Sequence, residues 1–271
     1  MWRTILLILL CACAGTAQAK PQRIVSLNLC TDQLLLQLVE PERIAALTYL
    51  SDDPRQSVEA QKARGIRKTR GTAEDVVALD ADLIVAGTFS TRETVTLLRR
   101  LGHDVLDFTP AASVADVRRD ILAMGDAVGE PARAARLVAR FDARLAALTR
   151  RGGNRPLFTD YGPNGYVSGE GTLLAELAAR AGFDPLGTRL GIAGMRQVPL
   201  EQLVLTRPAL IDLGERPRGP ALADRLYTHP ALQALTRGGR SIRIPSRLIS
   251  CGTVRSLDAL AMLVQARDRL P

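Results

Sequence analysis

The chain reads as α/β, two lobes with mainly parallel sheets joined by one long interdomain helix, with a ligand cleft between the lobes. Three observations predict this. Short apolar runs alternate with helical segments along nearly the whole sequence, the pattern of parallel strands with right-handed crossovers. Near the middle, PARAARLVARFDARLAALTRR (Pro131 to Arg151) has Pro in its first turn and no internal Gly or Pro. Leu137, Phe141, Leu145 and Leu148 form its apolar stripe, Gly152-Gly153 stops it, and at 1.5 Å per residue it spans roughly 30 Å. Finally, the chain before that helix matches the chain after it. AEDVVALDADLIVAG (Ala73 to Gly87) lies without a gap over LEQLVLTRPALIDLG (Leu200 to Gly214), aligning a Glu, an apolar helix face, a turn, a Leu-Ile strand and a Gly. The expected division is a leader over 1–19, lobes over 20–130 and 153–271, and the bridging helix over 131–152.

The 271 residues suffice for one large or two modest domains. Net charge is +8, carried far more by Arg than Lys, and Arg suits bidentate grip on carboxylates and phosphates. The charges are dispersed, without the basic run of a nucleic-acid patch. Arg3, the apolar run Ile5 to Ala14 and Ala17-Gln18-Ala19 read as a signal peptide cleaved after Ala19. The rival reading is a lipoprotein box over Leu10-Cys11-Ala12-Cys13 with Cys13 acylated; either exports the protein.

In order, Arg23 to Leu27 is a buried-type strand, and Asn28 caps the next helix. Arg43 to Tyr49 is a second strand, and Ser51 to Arg70 a polar loop. Glu74 to Leu79 is a short helix, Asp82 to Gly87 a strand, Thr91 to Leu101 a helix and Asp104 to Phe108 a strand. Ser113, with Asp116 three residues on, opens another helix. Beyond the long helix the pattern restarts: strand Arg155 to Tyr161, a glycine-rich turn Gly162 to Gly171, and helix Thr172 to Ala181. A helix over Leu200 to Leu205, strand Ala209 to Leu213, helix His229 to Leu235, strand Ser241 to Pro245 and helix Val254 to Arg269 complete it.

RIVSLNLCTDQLL (from Arg23), GTAEDVVALDADLIVAG (from Gly71), the helix at 131–151 and VPLEQLVLTRPALIDLG (from Val198) resemble the periplasmic substrate-binding proteins of ABC importers for iron–siderophore complexes, haem and cobalamin. The resemblance covers nearly the whole chain after the leader. It implies two α/β lobes on a stiff helical bridge, a monomer that binds one small metal chelate, no resident cofactor, and delivery to a membrane permease and its ATPase. It also implies that one surface Glu per lobe docks onto permease Arg residues; the matching positions are Glu74 and Glu201.

Ligands of such sheets bind outside the carboxyl ends of the strands, so strand-to-helix turns supply the candidates. These are Asn28, Cys30, Tyr49, Thr69, Arg70 and Phe89 in the first lobe, and Tyr161, Asn164, Tyr166, Met195, Arg196, Arg247 and Cys251 in the second. Arg70, Arg196 and Arg247 could clamp an anionic ligand, and Tyr49, Phe89 and Tyr166 could stack on a flat one. Each has a blander alternative, a solvated Arg or a locally packed ring. Cys30 and Cys251 are the only cysteines after the leader. An exported pair reads as a disulfide, against the alternative of two thiols lining the cleft.

Cobalamin-binding members of the family place Trp in the cleft, whereas the single Trp here is Trp2 in the leader. The expected ligand is therefore an anionic iron–siderophore chelate, with cobalamin or haem as alternatives. An exported α/β hydrolase is the competing class. It needs a nucleophile, base or metal site, and the sequence has two histidines in different halves, no metal-ligand spacing and no Gly-x-Ser-x-Gly. No metal-binding residues and no enzyme activity are expected.

Overall fold

The computed structural model describes residues 19–88, 90, 92–215 and 226–270. The leader, including Cys11 and Cys13, and Phe89 lie outside the described residues.

The first lobe carries a five-stranded parallel sheet in the order β3-β2-β1-β4-β5, from β1 (Ile24–Ser26), β2 (Ile44–Thr48), β3 (Lys68–Thr69), β4 (Leu83–Gly87) and β5 (Val105–Phe108). The Val/Ile/Leu runs of β1 and β4 are what strands covered on both faces require. Asn28 caps α1 (Leu29–Leu38), its side chain accepting from the Cys30 amide at 2.8 Å. Every residue of α1 from Thr31 to Leu38 is buried, hence its unbroken Leu-Leu-Leu run. Helices α2 (Ala73–Val77), α3 (Arg92–Arg100) and α4 (Val114–Ala127) complete the lobe.

The second lobe has a four-stranded parallel sheet, β11-β10-β6-β8, and a two-stranded antiparallel ribbon, β7-β9. Its strands are β6 (Leu157–Asp160), β7 (Tyr166–Ser168), β8 (Asp184–Pro185), β9 (Met195–Gln197), β10 (Leu210–Asp212) and β11 (Ser241–Ile242). Its helices are α6 (Leu173–Arg180), α7 (Leu186–Arg189), α8 (Leu200–Thr206), α9 (Pro230–Thr236) and α10 (Ser256–Asp268). The internal sequence match falls on α2–β4 in one lobe and α8–β10 in the other.

The bridge is α5 (Pro131–Leu148), packed against α4 of the first lobe and α10 of the second. Glu130 anchors its start by ion pairs to Lys20 and Arg43 at 2.9 and 2.8 Å. It ends before Arg151 because Thr149 turns extended and the Arg150 amide bonds the Arg180 carbonyl, pulling the chain into the second lobe. One contiguous apolar cluster runs from Leu35 and Met124 through Phe141 and Leu145 to Leu177 and Leu260. Opening the lobes would break this shared core, which stiffens the hinge.

A disulfide, a hydrogen bond and a close backbone approach reinforce it. Cys30 and Cys251 form a disulfide between the lobes, Cα atoms 4.9 Å apart. Glu176 of α6 accepts the Val114 amide in the first turn of α4, at 2.8 Å. Gly252, at φ +58°, lies so close to the first lobe that a Cβ there would stand 2.3 Å from the Ala111 Cβ.

Two segments differ from the sequence reading. The expected loop 51–70 contains β3, and the expected turn 162–171 contains a 3₁₀ turn (Pro163–Gly165) followed by β7. Both strands pair with partners distant in sequence, which local patterning does not register.

Candidate ligand cleft

In each sheet the strand order reverses beside the first strand, and the crevice outside the carboxyl ends at that reversal is where α/β sheets bind ligands. In the first lobe the reversal lies between β1 and β4. Asn28 follows β1 there and packs so tightly over Gly87 that a Cβ on Gly87 would come 2.6 Å from the Asn28 amide nitrogen. Asn28, Cys30, Thr88 and Cys251 line a small cavity at this point, on the boundary of the lobes. The neighbouring strand ends carry Tyr49 and Arg70. The Tyr49 amide bonds the Thr69 carbonyl at 3.2 Å, so the two turns run side by side. The Tyr49 ring is 61% exposed, and Arg70 is exposed with no ion pair or side-chain hydrogen bond among the described residues.

Thr69 does not face the cleft. It is 4% exposed, and its hydroxyl accepts from the Gly71 amide and donates to Asp75, fixing the turn that presents Arg70. Beneath it, buried Asp32 accepts the Thr48 amide and hydroxyl at the end of β2. Burial pushes its carboxyl up to about 7, against the lowering effect of the Thr48 hydroxyl.

In the second lobe the reversal lies between β6 and β10, whose last residues, Asp160 and Asp212, are register partners. Neither was a sequence candidate, because an acid at a strand end looks like a solvated residue. Asp160 accepts the Ser168 amide and hydroxyl at 2.9 and 2.6 Å. Asp212 accepts the Gly214 and Ile244 amides at 2.9 and 3.0 Å. Burial raises both carboxyls, Asp212 to about 6, with the nearby Asp160 charge adding to the effect there. These acids tie the loops of their own lobe.

The exposed candidates of this lobe sit on the β7–β9 ribbon. Tyr166 is 44% and Met195 61% exposed. Register pairs Tyr166 with Gln197, Val167 with Arg196 and Ser168 with Met195. Alternation therefore sends Tyr166 and Met195 out of one face and Arg196 out of the other, with buried Val167. Arg196 is not brought beside Tyr166 and Met195. Asn164, at φ +59°, is exposed in the 3₁₀ turn and accepts the Gln197 side-chain amide on its backbone carbonyl. Arg247 is half-buried and faces Glu215 at 3.4 Å, which takes up part of its charge.

Tyr161 is a correction. It is 1% exposed, with its hydroxyl donating to the Val198 carbonyl at 2.9 Å, so it packs in the core and holds the segment entering α8. Burial raises its phenol, and the Glu201 charge adds to this. Glu74 on α2 and Glu201 on α8 are both exposed in the first turn of their helices and unpaired among the described residues. Of the two histidines, His229 caps α9 by accepting the Ala231 amide. Among the described residues no group of three or more His, Cys, Asp or Glu could hold a metal ion. No helix among them is long and apolar enough to cross a membrane.

The structure thus has two α/β lobes on a helical bridge, with exposed aromatic and cationic side chains at strand ends. The chain belongs to the periplasmic binding protein family, whose model matches residues 24–246. That family is one of substrate-binding proteins and not of enzymes. The chain is 28% identical over 177 residues to a cobalamin-binding protein of Halobacterium salinarum, a match covering 62% of this chain and 47% of that protein. The chain thus spans about half the length of the curated relatives it matches. Among solved structures it resembles a periplasmic haem-binding protein from Roseiflexus sp. RS-1, with TM-score 0.74 and 21% identity over 90% of this chain and 98% of that one. It also resembles the periplasmic vitamin B12 binding protein of Vibrio cholerae, with TM-score 0.70 and 17% identity over 92% and 97%. These likenesses establish the two-lobed fold.

Proposed function

We propose that this protein is the receptor of an ABC importer, capturing an anionic iron–siderophore-type chelate in the cleft and handing it to a membrane permease. The observation that carries the reading is the contrast at the strand ends. Tyr49 and Arg70 on one lobe, and Tyr166 and Met195 on the other, are large side chains left exposed without internal partners, while the polar groups around them are satisfied. An unpaired guanidinium beside exposed rings suits a flat or bulky ligand bearing carboxylate, hydroxamate or catecholate oxygens. Glu74 and Glu201 are the docking residues, and the ATPase is reached through the permease. Export uses the leader, cleaved after Ala19, and the mature receptor acts as a monomer in the periplasm.

A second reading, cobalamin, is favoured by the name of the Halobacterium relatives. The mature chain offers Tyr but no Trp against a corrin face. Titrating the mature chain with ferric siderophores, haemin and cyanocobalamin, followed by calorimetry and intrinsic Tyr fluorescence, tests the choice. Saturable one-to-one binding of a ferric chelate is expected. Tight binding of cyanocobalamin with no response to any ferric chelate would replace the ligand, and silence towards all three classes would overturn the receptor reading.

A further inference from the structure

The second lobe carries a basic pocket on the face opposite the cleft. It occupies about 220 Å³ and is lined by Asn154, Pro208, Leu270 and three arginines, Arg207, Arg240 and Arg267, among others, with no carboxylate in its wall among the described residues. Its position follows from the fold. Pro208 and Arg240 lie just before β10 and β11, and Asn154 shortly before β6, so the pocket is at the amino ends of the strands. The cleft is at their carboxyl ends. The seven-residue α8 runs between the two faces, with Glu201 in its first turn and Arg207 as its C-cap.

Among the described residues these arginines have no carboxylate partner. Arg207 and Arg240 are exposed and make no side-chain hydrogen bond or ion pair among the described residues. Arg267 donates through Nη2 to the Asn154 carbonyl at 2.5 Å, but its Nε is shut off from solvent with no acceptor. The adjacent acid on α10, Asp268, is engaged by Arg150. Helix C-termini attract cations, which accounts for an Arg at the ends of α8 and α10. It does not account for Arg240, which precedes a strand, nor for a buried guanidinium N–H left unpaired. Elsewhere the protein pairs half-buried arginines: Arg43 with Glu130, and Arg247 with Glu215.

We propose that this pocket is a second binding site, for a phosphate-class oxyanion, either orthophosphate or the phosphate of a larger ester. Three guanidinium groups lining one pocket offer several forked donors, which match a tetrahedral dianion with several acceptor oxygens better than a single carboxylate. The site stands apart from the chelate cleft and does not depend on the ligand bound there.

The test is calorimetry and ³¹P NMR of the mature chain with orthophosphate in a phosphate-free buffer, alongside Arg207→Ala/Arg240→Ala, Arg267→Ala and Arg70→Ala. One saturable site per chain is expected. Losing one charged donor should weaken binding by about 10- to 150-fold. The exposed double variant should remove binding without touching the core, and Arg70→Ala should leave it unchanged. Vesicles of phosphatidylglycerol and of phosphatidylcholine separate the sources. Retention on the former alone, lost in the double variant, assigns a lipid headgroup; orthophosphate binding without vesicle binding assigns a free anion. No saturable orthophosphate binding by the wild type, or equal binding by the double variant, overturns the proposal. The phosphate titration reads this pocket alone and the chelate titrations read the cleft, so this site and the receptor reading fail independently.

Discussion

The two lobes share a plan and use their strand ends differently. In the first lobe the rim is left open: Tyr49 and Arg70 project beside each other without partners, and the polar groups behind them, Thr69 and Asp32, are turned inward to brace the turns. In the second lobe the corresponding point is closed by its own chain. Asp160 and Asp212 spend their oxygens on backbone amides and Ser168, and Arg247 faces Glu215. What remains exposed there is Tyr166 and Met195, on a ribbon with no counterpart among the described residues of the first lobe. On the proposed receptor reading, the first lobe would read charge and the second supply shape.

At the exposed first turns of α2 and α8 the lobes agree, since Glu74 and Glu201 occupy matching places there. If both dock, replacing both by Ala abolishes stimulation of the reconstituted transporter's ATPase and leaves ligand affinity unchanged. Full stimulation by the double variant would break the symmetry at these turns.

The contact between the lobes is the next test. Gly252 and Gly214 share φ +58°, but only Gly252 abuts the other lobe. Gly214→Ala should cost about 1–2 kcal/mol for the left-handed backbone alone. Gly252→Ala adds the clash with Ala111, an overpacking of about 1–3 kcal/mol, for a total of about 2–5 kcal/mol in urea unfolding. Equal losses would mean that the lobe interface yields freely.

Much of the fold was legible because buried parallel strands read as runs of Ile, Val and Leu, and because Asn28 and Ser113 announce their helices by capping. The long helix was legible from its stripe, but its last turn was not: the Arg150–Arg180 backbone bond that ends it is a tertiary event. The β7–β9 ribbon and β3 were missed for the same reason, being strands of two or three residues that exist only through distant partners. Among the candidates, turn positions picked out Tyr49, Arg70, Tyr166 and Met195, which the structure leaves exposed. They misled at Tyr161, where the last side chain of the run turns into the core and finds the Val198 carbonyl. Asp160 and Asp212 carried no sequence signal, since only the fold makes them neighbours.

Asp32 sharpens the comparison through pH. Its carboxyl keeps a proton to about 7 in the fold, against 3.8 in an unconstrained chain. The folded chain binds the extra proton across that window, so the contribution of Asp32 to stability is greatest below the lower value and falls as pH rises towards the upper one. Asn keeps a carbonyl oxygen that can accept from the Thr48 amide and hydroxyl, and it stays neutral at every pH. Asp32→Asn should therefore lose ground to the wild type at low pH and gain on it above neutrality, by unfolding midpoints across that range. Parallel curves would mean that Asp32 does not titrate there.

The division of labour between the lobes is tested most directly by titrating one ferric siderophore against wild type, Arg70→Ala and Arg247→Ala under identical salt. The account predicts a loss of about 10- to 150-fold for Arg70→Ala, the cost of one charge-assisted hydrogen bond, and a clearly smaller loss for Arg247→Ala, whose charge is already shared with Glu215. Unchanged affinity in Arg70→Ala together with a large loss in Arg247→Ala would contradict it.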